Sequence, residues 1–533
     1  DVAEGNSDIF YYGVNGSTIN GLDQETLNKL ETYSVPSGSW SLVFNPYPNK
    51  APYHFEKEDE TIFNPFAIRE IRFAMNNLID RQYIVDEILG GAGGVMFSMA
   101  TPGQPGTYRY NMLANKFGFT PEGDEEGALQ SIEAAMQEAA VLPENKGRLK
   151  REGEWWTFDG KPVTIKFYIR VDDPDRMKEG EYVSQQIEKA GIKVEKLLWD
   201  RSKSMGMVYG GKPEDWNYTI YTEGWSAGAT RRYWGHIIAQ MYAPWYGYMP
   251  GGFAEGWKYK HDRIDELTQN AYNGKAVTEE QYWDWALEGL EIGLQEAVRI
   301  YVCYQTDYFV ANKRNFNGRF AYGLGDGLNR WSLVTADTKD GIVRATQFSA
   351  KGSLFMNAWD PVGPDGFSDM YSKYIATPLY DQPAFESPAS GKYEFSRVKP
   401  LDVQSDVSID DEGNLVGKID IPANAVEYDP AANEWVELGE GKKSYSKGIY
   451  KLSGGKYHHG VPIGVVDYLY GEGFKEEWIS QDGEDDPYYS EGYASVQGGQ
   501  DTVVANVFDI DNNQIIAYFD FQFPADPNRV AGR

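Results

Sequence analysis

Cysteine is almost absent from this chain of 533 residues: Cys303 stands alone, which excludes an intrachain disulfide framework and any zinc cluster built on thiolates. Histidine is nearly as scarce, with 5 copies. His54, His236 and His261 are isolated, and the adjacent His458 and His459 would point to opposite faces of a strand, so no metal motif is present and a turn role is expected for the pair. Positive charge is in deficit, with 50 Lys and Arg against 80 Asp and Glu and a formal charge of −30. That balance argues against a nucleic-acid partner, because neutralising phosphates takes clustered cations. No run approaches the roughly 18 to 20 uncharged apolar residues of a membrane-spanning helix. The opening from Asp1 has neither a basic nor an apolar leader segment, which fits a processed or truncated N-terminus. HExxH is missing, and no repeat of roughly 20 to 50 residues is visible. Asp509-Ile510-Asp511-Asn512-Asn513 begins like a calcium loop but lacks the Gly at the sixth place and the distal Glu, so a hairpin turn is expected. Gly90-Gly91-Ala92-Gly93-Gly94 follows a helix and does not precede one, the wrong context for a phosphate-binding loop.

What remains is globular in composition, with 41% hydrophobic and 24% charged residues. The length exceeds what one core usually organises, so two or three lobes should share it. Aromatic residues are the conspicuous surplus: 15 Trp, 38 Tyr and 25 Phe. Most of these belong in cores, and a minority is expected to line a ligand cleft.

The spacing of Ile68, Ile71, Met75, Leu78 and Ile79 predicts a helix from Asn64 to Leu89, capped by Asn64 and Pro65 and stopped by Gly90 and Gly91. A second helix is expected from Glu125 to Val141. Val163, Ile165, Phe167 and Ile169 alternate on a strand from Lys161 to Arg170; a helix from Glu181 to Ala190 and a strand from Ile192 to Leu198 follow. This β-α-β order predicts an α/β sheet with a crossover helix. Another strand, Trp216 to Tyr221, runs into the loop Thr222 to Gly228. Helices are expected at Asp262 to Tyr272 and Glu279 to Glu296, before the strand-like RIYVCYQTDYFVA. Beyond about Asp340 the chain turns rich in strands and turns, such as that at Asp411 to Asn414, and an architectural boundary is expected there.

Several landmarks occur together. They are VAEGNSDI at Val2, SWSLVFN at Ser39 to Asn45, the IDR-bearing helix from Asn64, QQIEKAGIKVE at Gln185, the strand into EGWSAG, RIDELTQNA at Arg263, and the Trp331 region. With them, residues 1 to about 337 resemble the second half of the extracellular solute-binding proteins of ABC importers, the oligopeptide-binding type or family 5. From about Gly352, GSLFMNAWDPVGPDGFSDMYSKYIATPLYD and KYHHGVPIGVVDYLY resemble the first half of the same family, with Tyr457 where that family has Trp and His459 where it has Asp. Second half precedes first, so the resemblance implies a circular permutation of one binding protein, or a window across two tandem modules.

The resemblance further implies a two-lobe periplasmic-binding-protein-like α/β fold with a hinge and an extra strand-rich subdomain. Residues 1–60, 318–385 and 506–533 would share lobe I, residues 61–317 would form lobe II, and 386–505 the appended subdomain. The implied function is capture of a small oligomer, sugar or peptide, by lobe closure and its delivery to the permease of an ABC importer. No enzyme activity, cofactor or metal is implied. The expected protein is a monomer outside the cytoplasm, extracellular or periplasmic, either free or tethered to the membrane through a segment absent from this sequence. A secreted glycoside hydrolase and a surface-layer or structural protein on the same fold are the alternatives.

Peptide binders of this family place an Asp shortly after the Trp of the substrate-facing loop to pair with the α-ammonium; here Gly228, Ala229 and Thr230 occupy that place, followed by Arg231 and Arg232. Glu223 is the substitute candidate. Around it Tyr221, Trp225, Tyr233, Trp234, Trp245 and Tyr246 supply flat faces suited to sugar rings, although APWYGYMPGG is equally readable as a packed loop. From the facing lobe Asn45, Asn357, Trp359 and Tyr371 are the candidates; Asn45 ends a strand, where a structural hydrogen bond is expected, and Trp359 is the better candidate for stacking.

Overall fold

The computed structural model describes residues 1–533 except 105, 210, 226–235, 247–259, 323–326, 330, 348–374, 376–377, 379–382, 388, 492, 495–501 and 533. It divides into two units, one of residues 1–269 and 284–346, the other of 270–283 and 347–533. Apart from the short excursion at 270–283, the second unit starts at Gln347, close to the change of character expected near Asp340.

A mixed nine-stranded sheet organises the first unit. Its strands include β1 (Ile9–Phe10), β2 (Leu30–Phe44), β3 (Gly93–Val95), β4 (Thr164–Arg170), β5 (Lys193–Trp199), β6 (Ile220–Trp225), β7 (Arg299–Asn312) and β8 (Ala345–Thr346). They lie in the order β5-β4-β6-β2-β7-β1-β8, with β3 and Val14–Asn15 also pairing with β7. β4 is parallel to both β5 and β6, whereas β6, β2 and β7 are successively antiparallel. The class is therefore α/β, as the β-α-β pattern predicts. β7 shifts register against β2 at Tyr301/Cys303 and again at Tyr304/Thr306, irregularities that bend a strand near its middle.

The helix expected over residues 64–89 is divided. Pro65–Ala67 form one 3₁₀ turn, α1 spans Arg69–Leu78, and Ile79 is extended, with φ −97° and ψ 116°. Asp80 then caps a new turn by accepting from the Tyr83 amide at 2.8 Å. The cause is Arg81, which is fully buried and donates to the carbonyls of Met96 (3.1 Å) and Tyr301 (2.9 Å) and to Asn76 Oδ1 (2.8 Å). Uninterrupted helix would have to carry Arg81 away from these acceptors, so tertiary bonding overrides the periodicity. The apolar positions are nevertheless placed as their spacing predicts: Ile68, Ile71, Met75, Leu78 and Ile79 all enter the main core. Helix α2 (Glu125–Ala140) packs against α1.

The crossover helix α3 (Pro174–Lys189) starts seven residues before the expected Glu181, and its signal was present. Asp173 accepts from the amides of Asp175 (3.2 Å) and Arg176 (3.3 Å), and Pro174 holds the first helical position. The strand expected at 216–221 lies four residues further on, because Trp216 adopts φ 54° at the end of a turn over Pro213–Asp215. Val163, Ile165, Phe167 and Ile169 are buried on one face as alternation predicts. Tyr168 is buried on the other, so β4 is covered on both faces. Helices α4 (Asp262–Tyr272) and α5 (Glu279–Glu296) have the expected bounds.

The second unit is built on an antiparallel six-stranded sheet. Strands β9 (Val398–Ser405), β10 (Val426–Asp429), β11 (Glu434–Glu437), β12 (Ser446–Leu452), β13 (Val503–Asp509) and β14 (Gln514–Phe519) lie in the order β9-β12-β14-β13-β10-β11. Helix α6 (Val465–Ile479) packs on β10 and β13. The calcium-like run is the turn of the β13–β14 hairpin, where the Asp509 carboxylate accepts from the Asn512 amide at 3.1 Å. His459 lies in a turn, stacked on Tyr457 with ring centroids 5.5 Å apart.

Candidate functional site

Parallel strands of an open α/β sheet offer ligand sites at their carboxyl ends, and β6 ends at Trp225 beside the N-terminus of α3. The register sets Gly224 opposite Trp40, Trp225 opposite Ser39 and Glu223 opposite Ser41. On the far side of β2, Cys303 pairs with Trp40 and Tyr301 with Ser41.

Glu223 is fully enclosed. Arg299 binds it in bidentate fashion, Nε to Oε2 at 2.6 Å and Nη2 to Oε1 at 3.0 Å; Tyr209 Oη donates to Oε1 at 2.6 Å and Ser41 Oγ to Oε2 at 2.7 Å. Both members of the pair have 0% side-chain exposure. Burial alone would raise the Glu223 carboxyl, but the Arg299 charge and the hydrogen bonds outweigh it and hold the group below its ordinary value. Arg299 also donates to the Met241 carbonyl. The carboxylate considered for an α-ammonium is thus committed within the protein.

On the opposite face of the sheet, against Gly224, sits Arg176, from the first turn of α3. Its guanidinium carbon lies 5.8 Å from the Trp40 ring centroid, and its Nε is 3.4 Å from Asp173. A side chain at Gly224 would place Cβ 1.9 Å from Arg176 Nη2, so glycine is what admits the guanidinium against β6. One turn along the helix, Glu179 is fully buried and neither of its oxygens has a hydrogen-bond partner. Desolvation pushes its carboxyl up to about 8, against the opposing pull of Arg176. Burial first, and Glu179 second, push the Cys303 thiol upward too.

Of the residues expected at the site, Tyr221, Glu223 and Trp225 share β6. Tyr221 is buried against Tyr168 (centroids 4.7 Å apart), and Tyr209 meets Trp225 edge-on at 6.3 Å. Trp225 is half-buried. Trp245 and Tyr246 belong to the turn Pro244–Tyr246; the Trp245 indole donates to Thr268 Oγ1 at 2.8 Å, anchoring it on α4. Asn45 is structural in the manner its position suggested: wholly buried, it donates to the carbonyls of Pro213 (2.9 Å) and Tyr218 (3.2 Å) and accepts from the Tyr47 amide at 3.1 Å. Arg231, Tyr233, Trp234, Asn357, Trp359 and Tyr371 lie outside the described residues.

Trp40, Arg176, Tyr209 and Arg299 were not singled out from the sequence. Trp40 stood in the Ser39–Asn45 landmark and Arg176 two places after a Pro at a helix start; Tyr209 and Arg299 carried no local signal, since only the sheet register brings them to Glu223. Among the described residues no group of His, Cys, Asp and Glu could hold a metal ion, and no helix is long and apolar enough to cross a membrane.

Residues 4–235 match the family described as bacterial extracellular solute-binding proteins, family 5 Middle. The matched stretch runs from before β1 past the end of β6 and includes α3, so it carries Trp40, Arg176, Tyr209, Glu223 and Trp225, whereas Arg299 lies beyond it. No curated protein matches the chain. Among solved structures, a periplasmic oligopeptide-binding protein of Thermotoga maritima bound to mannohexaose is similar at 18% identity over 63% of this chain and 59% of that one, with a TM-score of 0.46. NikZ of Campylobacter jejuni in complex with Ni(L-His) is 14% identical over 63% and 58%, with a TM-score of 0.45. AppA of Bacillus subtilis in complex with a nonapeptide is 14% identical over 63% and 57%, with a TM-score of 0.44. The chain therefore spans less than two thirds of the length of the solved structures it matches.

Proposed function

We propose, taking the family 5 solute-binding region at residues 4–235 as the premise, that this chain captures a small solute outside the cytoplasm and presents it to the permease of an ABC importer. The proposed solute site lies at the carboxyl end of β6, where Tyr209 meets the half-buried Trp225, while Trp40 and Arg176 back the strand from the opposite face of the sheet. Capture works by closure of two lobes around the solute, a displacement of a few kcal/mol that ligand contacts can supply. In this reading residues from about 352 onward provide the family's first half in permuted order.

One observation favours a neutral oligosaccharide, or a blocked or acidic oligomer, over a peptide with a free N-terminus. Glu223, the acidic side chain of the strand that leads into the site, is already neutralised by Arg299. An α-ammonium arriving there would find no free carboxylate on β6, and an unpaired buried ammonium is costly. The rings of Trp225 and Tyr209 suit the apolar face of a sugar ring. Calorimetry with cello-oligosaccharides and with short free peptides tests the reading on wild type and Trp225→Ala. Saturable sugar binding that weakens by roughly 10-fold or more in Trp225→Ala is expected, on the scale of a truncated aromatic anchor. Tight peptide binding with no response to sugars, or an unchanged affinity in Trp225→Ala, would overturn it. Turnover of chromogenic glycosides would replace it with the hydrolase alternative.

A further inference from the structure

The second unit encloses a cavity of about 420 Å³ formed by its own residues, in the size range of a small-molecule site. The sequence explains the hollow. β12 and β14 are antiparallel, with Tyr450 opposite Ile515, Gly448 opposite Ala517 and Ser446 opposite Phe519. Residues two apart share a sheet face, so the small pair Gly448 and Ala517 leaves a gap between the larger pairs on either side. The Tyr450 ring folds back over that gap: a Cβ added at Gly448 would lie 2.3 Å from Tyr450 Oη.

That hydroxyl is the unusual feature. Tyr450 is 6% exposed, its oxygen has no hydrogen-bond partner, and burial raises the phenol above its ordinary value, so it stays a neutral donor. A buried donor left unmade costs free energy that a ligand acceptor could recover. Leu452, Ile515 and Phe519 complete an apolar floor around it.

Charge at the mouth is asymmetric in its commitments. Asp467 accepts from the Gly464 amide at 2.7 Å and from Tyr457 Oη at 3.0 Å, and Glu472 is paired with Lys475 at 2.6 Å. Arg397 stands beside Gly455, 3.7 Å from where its Cβ would be. Lys456 is exposed at the same rim, and no ion pair engages its ammonium among the described residues. The acids are satisfied and a cation is left over.

We propose that this cavity is a second binding site, for a small, largely apolar carboxylate: an aryl or branched-alkyl acid whose body lies on the β12–β14 floor, whose carboxylate meets Lys456, and which offers an oxygen acceptor to Tyr450 Oη. This inference stands on second-unit residues and is independent of the solute site on β6.

4-Benzoylbenzoate is a suitable probe, because it carries two rings, a central carbonyl and one carboxylate, and its benzophenone inserts into nearby C–H bonds under near-ultraviolet light. Calorimetry on the full chain should give one saturable site, and irradiation should label peptides containing residues 446–452 or 514–519. Lys456→Glu should weaken binding roughly 10-fold or more, as expected when a close charge pair is reversed. Tyr450→Phe separates a ligand role from a packing role. It removes an unsatisfied buried hydroxyl, so the ligand-free melting temperature should rise while affinity falls about three- to tenfold, the scale of one net hydrogen bond. Trp225→Ala should leave probe binding unchanged. The proposal is overturned by absence of saturable binding, by labelling confined to other peptides, by affinity indifferent to both Lys456→Glu and Tyr450→Phe, or by loss of the site in Trp225→Ala.

Discussion

Glu223 and Arg299 form a buried pair whose two hydrogen bonds, 2.6 Å and 3.0 Å, are completed by Tyr209 and Ser41. Removing one partner would strand the other charge in the interior. Glu223→Gln should therefore cost about 3–5 kcal/mol in urea-induced unfolding. Replacing both, as Glu223→Leu with Arg299→Met, should restore most of that loss, because the desolvation penalty disappears with the attraction. If Glu223→Gln were as stable as wild type, the pair would not be holding β6 against β7. Glu179 makes a different prediction, because it is buried without a partner and its carboxyl is raised from 4.5 to about 8. Between these values the folded state holds a proton that the unfolded state has lost. Stability from this group is complete below about pH 4.5 and is lost as pH rises through about 8, at about 1.4 kcal/mol per pH unit in between. Thermal melts from pH 5 to 9 should show a fall in wild type that flattens in Glu179→Gln. Parallel curves for the two proteins would show that Glu179 titrates normally.

At the scale of elements, α3 does two things with one terminus. Asp173 caps the helix and also faces Arg176, whose guanidinium is thereby aimed across Gly224 toward Trp40. Asp173→Ala should cost about 1–2 kcal/mol of stability through the lost cap. It should also weaken solute binding at the β6 site more than Asn15→Ala, which removes a helix cap without an Arg176 contact. Equal effects on binding would separate the cap from the site. The same elements show what a reader of the sequence could and could not have found. Periodicity located α4 and α5 to the residue and put Val163, Ile165, Phe167 and Ile169 on one buried face, because those signals are local. The break after Leu78 was illegible because Arg81 is held by carbonyls as distant as Tyr301. Tyr221, Glu223 and Trp225 could be named from the loop they lead into, but the partner that neutralises Glu223 lies 76 positions away and is met only across β2. Asp173-Pro174 was a legible helix start that the apolar pattern alone set too late.

For the whole molecule, the proposed capture mechanism links solute concentration to both stability and size. A solute that binds only the folded, closed state adds RT ln(1 + [L]/Kd) to the unfolding free energy, about 2.7 kcal/mol at a hundredfold excess over Kd. That increment belongs to whichever part of the chain unfolds together with the site. The chain comprises two compact units, so calorimetric scans can resolve more than one transition. A cello-oligosaccharide bound at β6 should raise the transition of the unit containing residues 1–269, and closure should lower the radius of gyration in small-angle scattering at the same ligand ratio. The two readouts constrain each other. A raised transition with unchanged scattering would mean a rigid site that binds without closing, and then the importer could not distinguish loaded from empty protein by shape. Compaction without a raised transition would mean that the sugar acts elsewhere than on β6. Only the joint change, abolished together in Trp225→Ala, supports closure around the strand end at Trp225.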